Sequence, residues 1–128
     1  MKILLIDDDM IIHKVINHNL TEEGHTVYSA MSGEQAQKFL QLERDVDVII
    51  CDMMMPGISG SEFIDHLKNY YSKWMPSVIV ISSLDEGNEL MKRSGIKFNY
   101  FIHKPFEMSY LTGVLEHIMN SKKPNRQN

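Results

Sequence analysis

A small set of chemically capable side chains stands just past short apolar runs of the chain. Asp7, Asp8 and Asp9 follow Lys2–Ile6 (KILLI), and Asp52 follows Val46–Ile50 (VDVII). Ser82 and Ser83 follow Ser77–Ile81 (SVIVI), while Lys104 and Pro105 follow Asn99–His103 (NYFIH). Carboxylates brought within about 4–6 Å of each other oppose one another's charge, and a bound cation is the usual remedy. Oxygen-only donors with room for water suit Mg²⁺ in the company of a phosphate. No His or Cys joins the acids at a zinc-ligand spacing. An ammonium and a hydroxyl beside such an ion can hold the equatorial oxygens of a transferring phosphoryl group. A carboxylate can accept that group covalently.

These residues need elements that bring them to one place. Continuous Ile/Val-rich runs of four to six residues read as strands covered on both faces. Lys2–Ile6, Val46–Ile50 and Ser77–Ile81 are of that kind, with His25–Ser29 and Asn99–His103 as weaker members. Helical spacing fills the gaps. Ile12, Val15, Ile16 and Leu20 mark a first inner face. Ala36, Phe39 and Leu40 mark a second, with Ser32 as N-cap. Phe63, Ile64 and Leu67 mark a third, Leu90 and Met91 a fourth ending near Gly95, and Leu111, Val114, Leu115 and Ile118 a fifth. Five strand–helix repeats predict an α/β domain with a parallel sheet, helices on both faces and right-handed crossovers. Ligands of such sheets bind beyond the carboxyl ends of the strands, where the acids, hydroxyls and lysine fall.

Length and charge narrow the classes further. The chain has 128 residues, which suits one domain and needs no disulfide or structural metal. Its one cysteine, Cys51, fits a reducing cytoplasm, and no apolar run is long enough to span a membrane. Three of the 13 cations lie beyond residue 120, which leaves ten against 17 acids in residues 1–120, a net −7. Such a body is not a nucleic-acid surface. The expected division is a domain over 1–120 and a basic tail or linker start over 121–128.

ILLIDDD, DVIICDMMMPGISG, VIVISS and FIHKPF together resemble the receiver domain of two-component response regulators. The match spans about residues 2–120, with 44 positions from Asp8 to Asp52, 30 to Ser82 and 22 to Lys104. The resemblance implies a flavodoxin-like, doubly wound five-stranded parallel sheet, (βα)5, with strand order 2-1-3-4-5. It implies Asp52 as phosphoacceptor and Mg²⁺ held by Asp8, Asp52 and the backbone carbonyl of Met54, with Asp7 helping through water. Lys104 would pair with the acyl phosphate and precede a cis-proline, Pro105. Ser82 and Phe101 would be the switch residues, acting on the face formed by about residues 86–120. The implied partners are a sensor histidine kinase or phosphotransfer protein, an output domain or protein, and a second copy through helix 4, strand 5 and helix 5. No direct nucleic-acid or membrane binding is implied, and the location is cytoplasmic.

Each residue also has a plainer reading. Asp9 suits a helix N-cap, and Asp7 or Asp8 can serve there too. Ser82 can cap the fourth helix, with Ser83 a small neighbour. Phe101 has no hydroxyl to mark two rotamers and can equally be core, with Tyr100 on the opposite face. The six histidines read as structural or surface residues, and Cys51 as small core. Ile11 and Ile12 are either core edge or a kinase-docking patch. Met54 and Leu84, two positions past Asp52 and Ser82, offer nothing to orient an attacking water. Trp74 precedes the fourth strand, at the end of the sheet opposite Asp52.

Other classes share parts of this set. Haloacid-dehalogenase-like phosphatases combine D-x-D, here Asp7-Asp8-Asp9, with a strand-end Ser, a Lys and Mg²⁺. There the first aspartate is the nucleophile, Asp52 would be idle, and no Gly-Thr follows Asp9. A flavodoxin-like FMN binder would need a phosphate cradle where three aspartates stand. A receiver-like module that is never phosphorylated would not need the complete acidic set.

Overall fold

The computed structural model describes residues 1–121. Five strands alternate with five helices: β1 (Lys2–Ile6), α1 (Met10–Glu22), β2 (Thr26–Ala30), α2 (Gly33–Leu42), β3 (Val48–Asp52), α3 (Gly60–His66), β4 (Ser77–Ser82), α4 (Gly87–Ser94), β5 (Tyr100–His103) and α5 (Met108–Ser121). A 3-10 turn, Leu67–Asn69, follows α3. All strand pairs are parallel and the order is β2-β1-β3-β4-β5. This is the doubly wound, flavodoxin-like arrangement expected from the sequence.

The continuous apolar strands are explained by two cores, one on each sheet face. Alternate residues of a strand point to opposite sides. Leu4, Ile6, Ile49, Cys51, Val78 and Val80 meet α2, α3 and α4 through Ala36, Leu40, Phe63, Ile64 and Met91. Ile3, Leu5, Val48, Ile50, Ile79 and Ile81 meet α1 and α5 through Ile16, Leu20, Leu111, Leu115 and Ile118. Each such Leu or Ile contributes roughly 1.5–3 kcal/mol when fully buried. The helix starts are capped as their sequences allow. Asp9 accepts from the Ile11 N–H, Ser32 from Gln35, and Ser59 with Glu62 forms a capping box at α3.

Several boundaries differ from the sequence reading. β3 begins two residues later than Val46 and reaches Asp52. Val46 is buried in the loop instead, its N–H turned onto the Arg44 carbonyl at 2.9 Å. The apolar run therefore counts one loop plug as strand. Similarly, β2 starts at Thr26 rather than His25, and β5 at Tyr100 rather than Asn99. In α1 the inner face is His13, Ile16 and Leu20, while Val15 is 44% exposed. Val15 fits the 3.6-residue period, but β5 and α5 leave that flank uncovered. The helix α5 includes Ser121, one residue past the expected domain end, and the basic tail lies outside the described residues. Among the described residues no helix is long and apolar enough to cross a membrane.

His25, just before β2, is buried, and the Met1 ammonium donates to its Nδ1 at 3.0 Å. Burial first, and the neighbouring positive terminus second, hold its imidazole below the ordinary histidine range. A depressed histidine adds stability above its unfolded pKa, about 6.5, and loses it as pH falls through the folded value. The denaturation midpoint of the wild type is expected to fall more steeply than that of His25→Gln between about pH 7 and pH 5. Parallel curves would contradict this placement of His25.

Candidate functional site

The carboxyl ends of β1, β3 and β5 converge because β1 and β3 are neighbours and β4 and β5 follow on the same side. Asp7 is fully buried at the end of β1. Its N–H bonds the Ala30 carbonyl at 3.2 Å, and its Oδ1 accepts from the Asp9 N–H at 2.8 Å. Asp52 is the last residue of β3, paired with Ile81 of β4 and nearly buried. Its Oδ1 accepts from the Met54 N–H at 3.1 Å. Lys104, just past β5, donates to Asp7 Oδ2 at 2.9 Å and to Asp52 Oδ2 at 3.3 Å. Its own backbone N–H is fixed on the Ser82 carbonyl at 2.8 Å, and the Lys104–Pro105 peptide is cis. Asp8 is exposed, yet oxygens from Asp7, Asp8 and Asp52 all lie within 4.8 Å of one another.

Electrostatics follow from this crowding. Burial is the main cause that raises the Asp52 carboxyl above the ordinary carboxylate range, and the Asp7 charge adds to it. The Met54 N–H and Lys104 oppose that rise. Burial alone pushes the Lys104 ammonium down, but its bond to Asp7 and the Asp52 charge outweigh it, so it titrates above an ordinary lysine. One ammonium thus faces three carboxylates, and a net negative charge is left over. Mg²⁺ takes oxygen ligands at about 2.0–2.1 Å in octahedral geometry and keeps several waters. Three oxygens within 4.8 Å, one of them on an exposed residue, fit such an ion with water-filled positions. The donor set lacks nitrogen and sulfur, as a hard cation requires.

The remaining sequence candidates fall around this cluster. Ser82 is buried at the end of β4, where its Oγ accepts from the Leu84 N–H at 3.0 Å. Phe101 and Tyr100 point to opposite faces, Phe101 toward the core that contains Met53 and Met91. Met54 and Leu84 expose 60% and 38% of their surface. Asp9 caps α1, and Ser83 is exposed without a bond to the acids. Cys51 is buried core, its thiol pushed up by burial. Ile11 is 70% exposed, while Ile12, partly buried, and Val15 border a groove shared with Pro105, Phe106 and Met108. Trp74 packs on Tyr71 before β4, at the far end of the sheet, as expected.

Three positioning residues escaped the sequence reading. His13 is buried, and its Nε2 donates to the Asp7 backbone carbonyl. It replaces Val15 on the inner face of α1 because a polar strand end needs a donor there. Gly60 opens α3 against the end of β3: a Cβ there would lie 1.8 Å from the Asp52 carbonyl oxygen and 2.8 Å from Met53 Cα. The Ser59–Glu62 capping box was a legible signal for that helix start. Gly87 opens α4 under Phe101, whose Cζ would stand 2.7 Å from an added Cβ.

Comparisons with known proteins agree with this geometry. The sequence model described as response regulator receiver domain matches residues 3–116. The response regulator GtcR of Aneurinibacillus migulanus is 33% identical over 81% of this chain and 41% of its own length. The phosphate regulon transcriptional regulatory protein PhoB of Rhizobium meliloti is 27% identical over 96% of this chain and 54% of its own. The chain therefore spans about half or less of these relatives. The chemotaxis response regulator CheY4 of Vibrio cholerae superposes with a TM-score of 0.80 at 25% identity, covering 91% of this chain and 97% of that one. A two-component response regulator from Clostridium difficile reaches a TM-score of 0.85 at 17% identity, a likeness of fold, over 94% and 97% of the two chains.

Two outcomes follow from the crowding. A raised carboxyl favours the fold while protonated, below about pH 4, and that contribution is lost as pH rises through its folded value. Asp52→Asn keeps the neutral form at every pH and keeps an acceptor for the Met54 N–H. Without divalent cation at pH 7, it is expected to raise stability by roughly 1 kcal/mol, about 3–5 °C in Tm; a lowered Tm would contradict the charge imbalance. Gly60→Ala must push the end of β3 aside and is expected to cost roughly 1–3 kcal/mol by overpacking. An unchanged denaturation midpoint would show that the close approach is absent.

Proposed function

Because the chain belongs to the response regulator receiver domain family, we propose that it is the phosphoacceptor switch of a two-component system. The observation that carries this reading is the single ammonium of Lys104 bridging the strand-end carboxylates Asp7 and Asp52. Asp52 takes the phosphoryl group from a phosphohistidine of a sensor histidine kinase or phosphotransfer protein. The N–P bond breaks as an Asp52 carboxylate oxygen bonds to phosphorus, and the electron pair stays on the imidazole, which takes up a proton.

Asp7, Asp8, Asp52 and the Met54 backbone carbonyl are the residues that would hold Mg²⁺, whose role is to neutralise charge on the phosphoryl oxygens. Lys104 is close enough to Asp52 to leave Asp7 and pair with the new phosphate. Ser82, whose Oγ accepts from the Leu84 N–H, keeps its own O–H free to donate to that phosphate, and turning toward it draws the β4–α4 loop along. Phe101, against Gly87 at the start of α4, is placed to answer this movement by changing rotamer. The affected face is then α4, β5 and α5, about residues 86–120, which would engage an output domain, a partner protein or a second copy. The exposed Ile11, beside Ile12 and Val15, supports docking of the phosphodonor on α1. A cytoplasmic location goes with this partner set.

Incubation with acetyl phosphate and Mg²⁺ is expected to add one phosphoryl mass to the wild type and none to Asp52→Asn. The same adduct on both would contradict Asp52 as acceptor. The lifetime of the adduct is a separate outcome. Met54 and Leu84 supply no polar group to position an attacking water, and positioned groups of that kind are what accelerate such a hydrolysis. The phosphoryl group is expected to persist for hours in Mg²⁺ buffer, followed by intact mass. A half-life of less than about a minute would refute this role of the two apolar side chains.

A further inference from the structure

Among the described residues, a basic stretch lies away from the carboxylates. Of the ten cations in residues 1–120, five fall between residues 68 and 97. Lys68, Lys73 and Lys97 line a cavity of about 500 Å³ at the end of the sheet opposite Asp52. Its walls are the loop before β4 and the loop after α4. That volume falls within the range of small-molecule sites, about 300–1,000 Å³.

The chemistry of the lining is two-sided. Tyr71 and Trp74 meet with ring centroids 5.4 Å apart and planes tilted by 51°. Trp74 and Ile96 are only partly buried and so reachable, while Tyr71 is buried behind the Trp74 ring. The rim is cationic, since its one carboxylate, Asp65, sits 3.6 Å from Lys68. Helix ends explain part of this charge. Lys92 and Arg93 in the last turn of α4, and Lys68 in the 3-10 turn, face terminal carbonyls. Lys73 and Lys97 lie in loops, where that explanation does not reach, and neither has an ion pair among the described residues.

One reachable indole on an apolar floor beneath exposed ammonium groups fits a ligand with a planar aromatic body and an anionic end. Base–aromatic stacking serves the first part, and lysine point charges serve the phosphate. We propose that this groove is a binding site for a nucleoside phosphate, with the base on Trp74 and the phosphate on Lys73 and Lys97. The site is independent of phosphoryl transfer at Asp52.

Trp74 is the only tryptophan of the chain and therefore reports on this groove alone. The test is titration of the protein with ADP in EDTA, so that no divalent cation bridges the nucleotide to the carboxylates. A saturable change in Trp74 emission is expected, with adenosine and inorganic phosphate each at least about tenfold weaker. Lys73→Ala/Lys97→Ala is expected to weaken ADP by about tenfold or more with an unchanged denaturation midpoint, while Asp52→Asn binds as the wild type does. Equilibrium dialysis with labelled ADP decides the case in which emission does not move. Absence of saturable binding in both measurements would overturn the proposal. So would phosphate binding as tightly as ADP, or an affinity indifferent to the two lysines.

Discussion

One ammonium holding two buried strand-end carboxylates is the interaction on which the rest of the structure turns. Asp7 and Asp52 stand side by side because β1 and β3 are adjacent, and Lys104 reaches them because β5 ends on the same sheet edge. Left alone, two buried like charges would drive one of them to protonate. The lysine prevents this only in part, as the raised Asp52 carboxyl shows. A buried ion pair of this kind is weak evidence of stability, because desolvation offsets most of its Coulomb energy. Its presence is better explained by what it prepares, an edge with unmet negative charge that can take a cation and then a phosphoryl group.

The surroundings of the pair are built to keep it in place. Backbone groups around it are paired: Asp7 N–H on Ala30, Met53 N–H on Ile81, Gly60 N–H on Met53 and Lys104 N–H on Ser82. His13 secures the Asp7 carbonyl from below. Gly60 lets α3 start against the end of β3, and Gly87 lets α4 start against the Phe101 ring. In the proposed switch this acidic centre is the fixed part and the β4–α4 loop beside it the part that moves.

Much of this was legible in the residue order. Ile/Val runs marked the strands because both sheet faces are covered, and strand ends marked the site because a parallel sheet places all its carboxyl ends on one edge. The family resemblance added the strand order and the individual roles. What was not legible depended on long-range packing. Val46 looks like strand but plugs a loop, since hydrophobicity does not record backbone pairing. Val15 has the right period for the core, yet His13 occupies that face because the Asp7 carbonyl needs a donor. Gly60 and Gly87 matter through atoms distant in sequence, so spacing alone could not single them out.

Asp52, rather than another carboxylate of the cluster, is the proposed acceptor of the phosphoryl group. Reduction of the phosphorylated protein with borohydride converts an aspartyl phosphate into a homoserine, and peptide sequencing by mass spectrometry then reads its position. Homoserine at position 52 and an unmodified position 7 are expected. Homoserine at position 7 would instead assign the chain a phosphatase-like nucleophile and contradict the reading of Asp52.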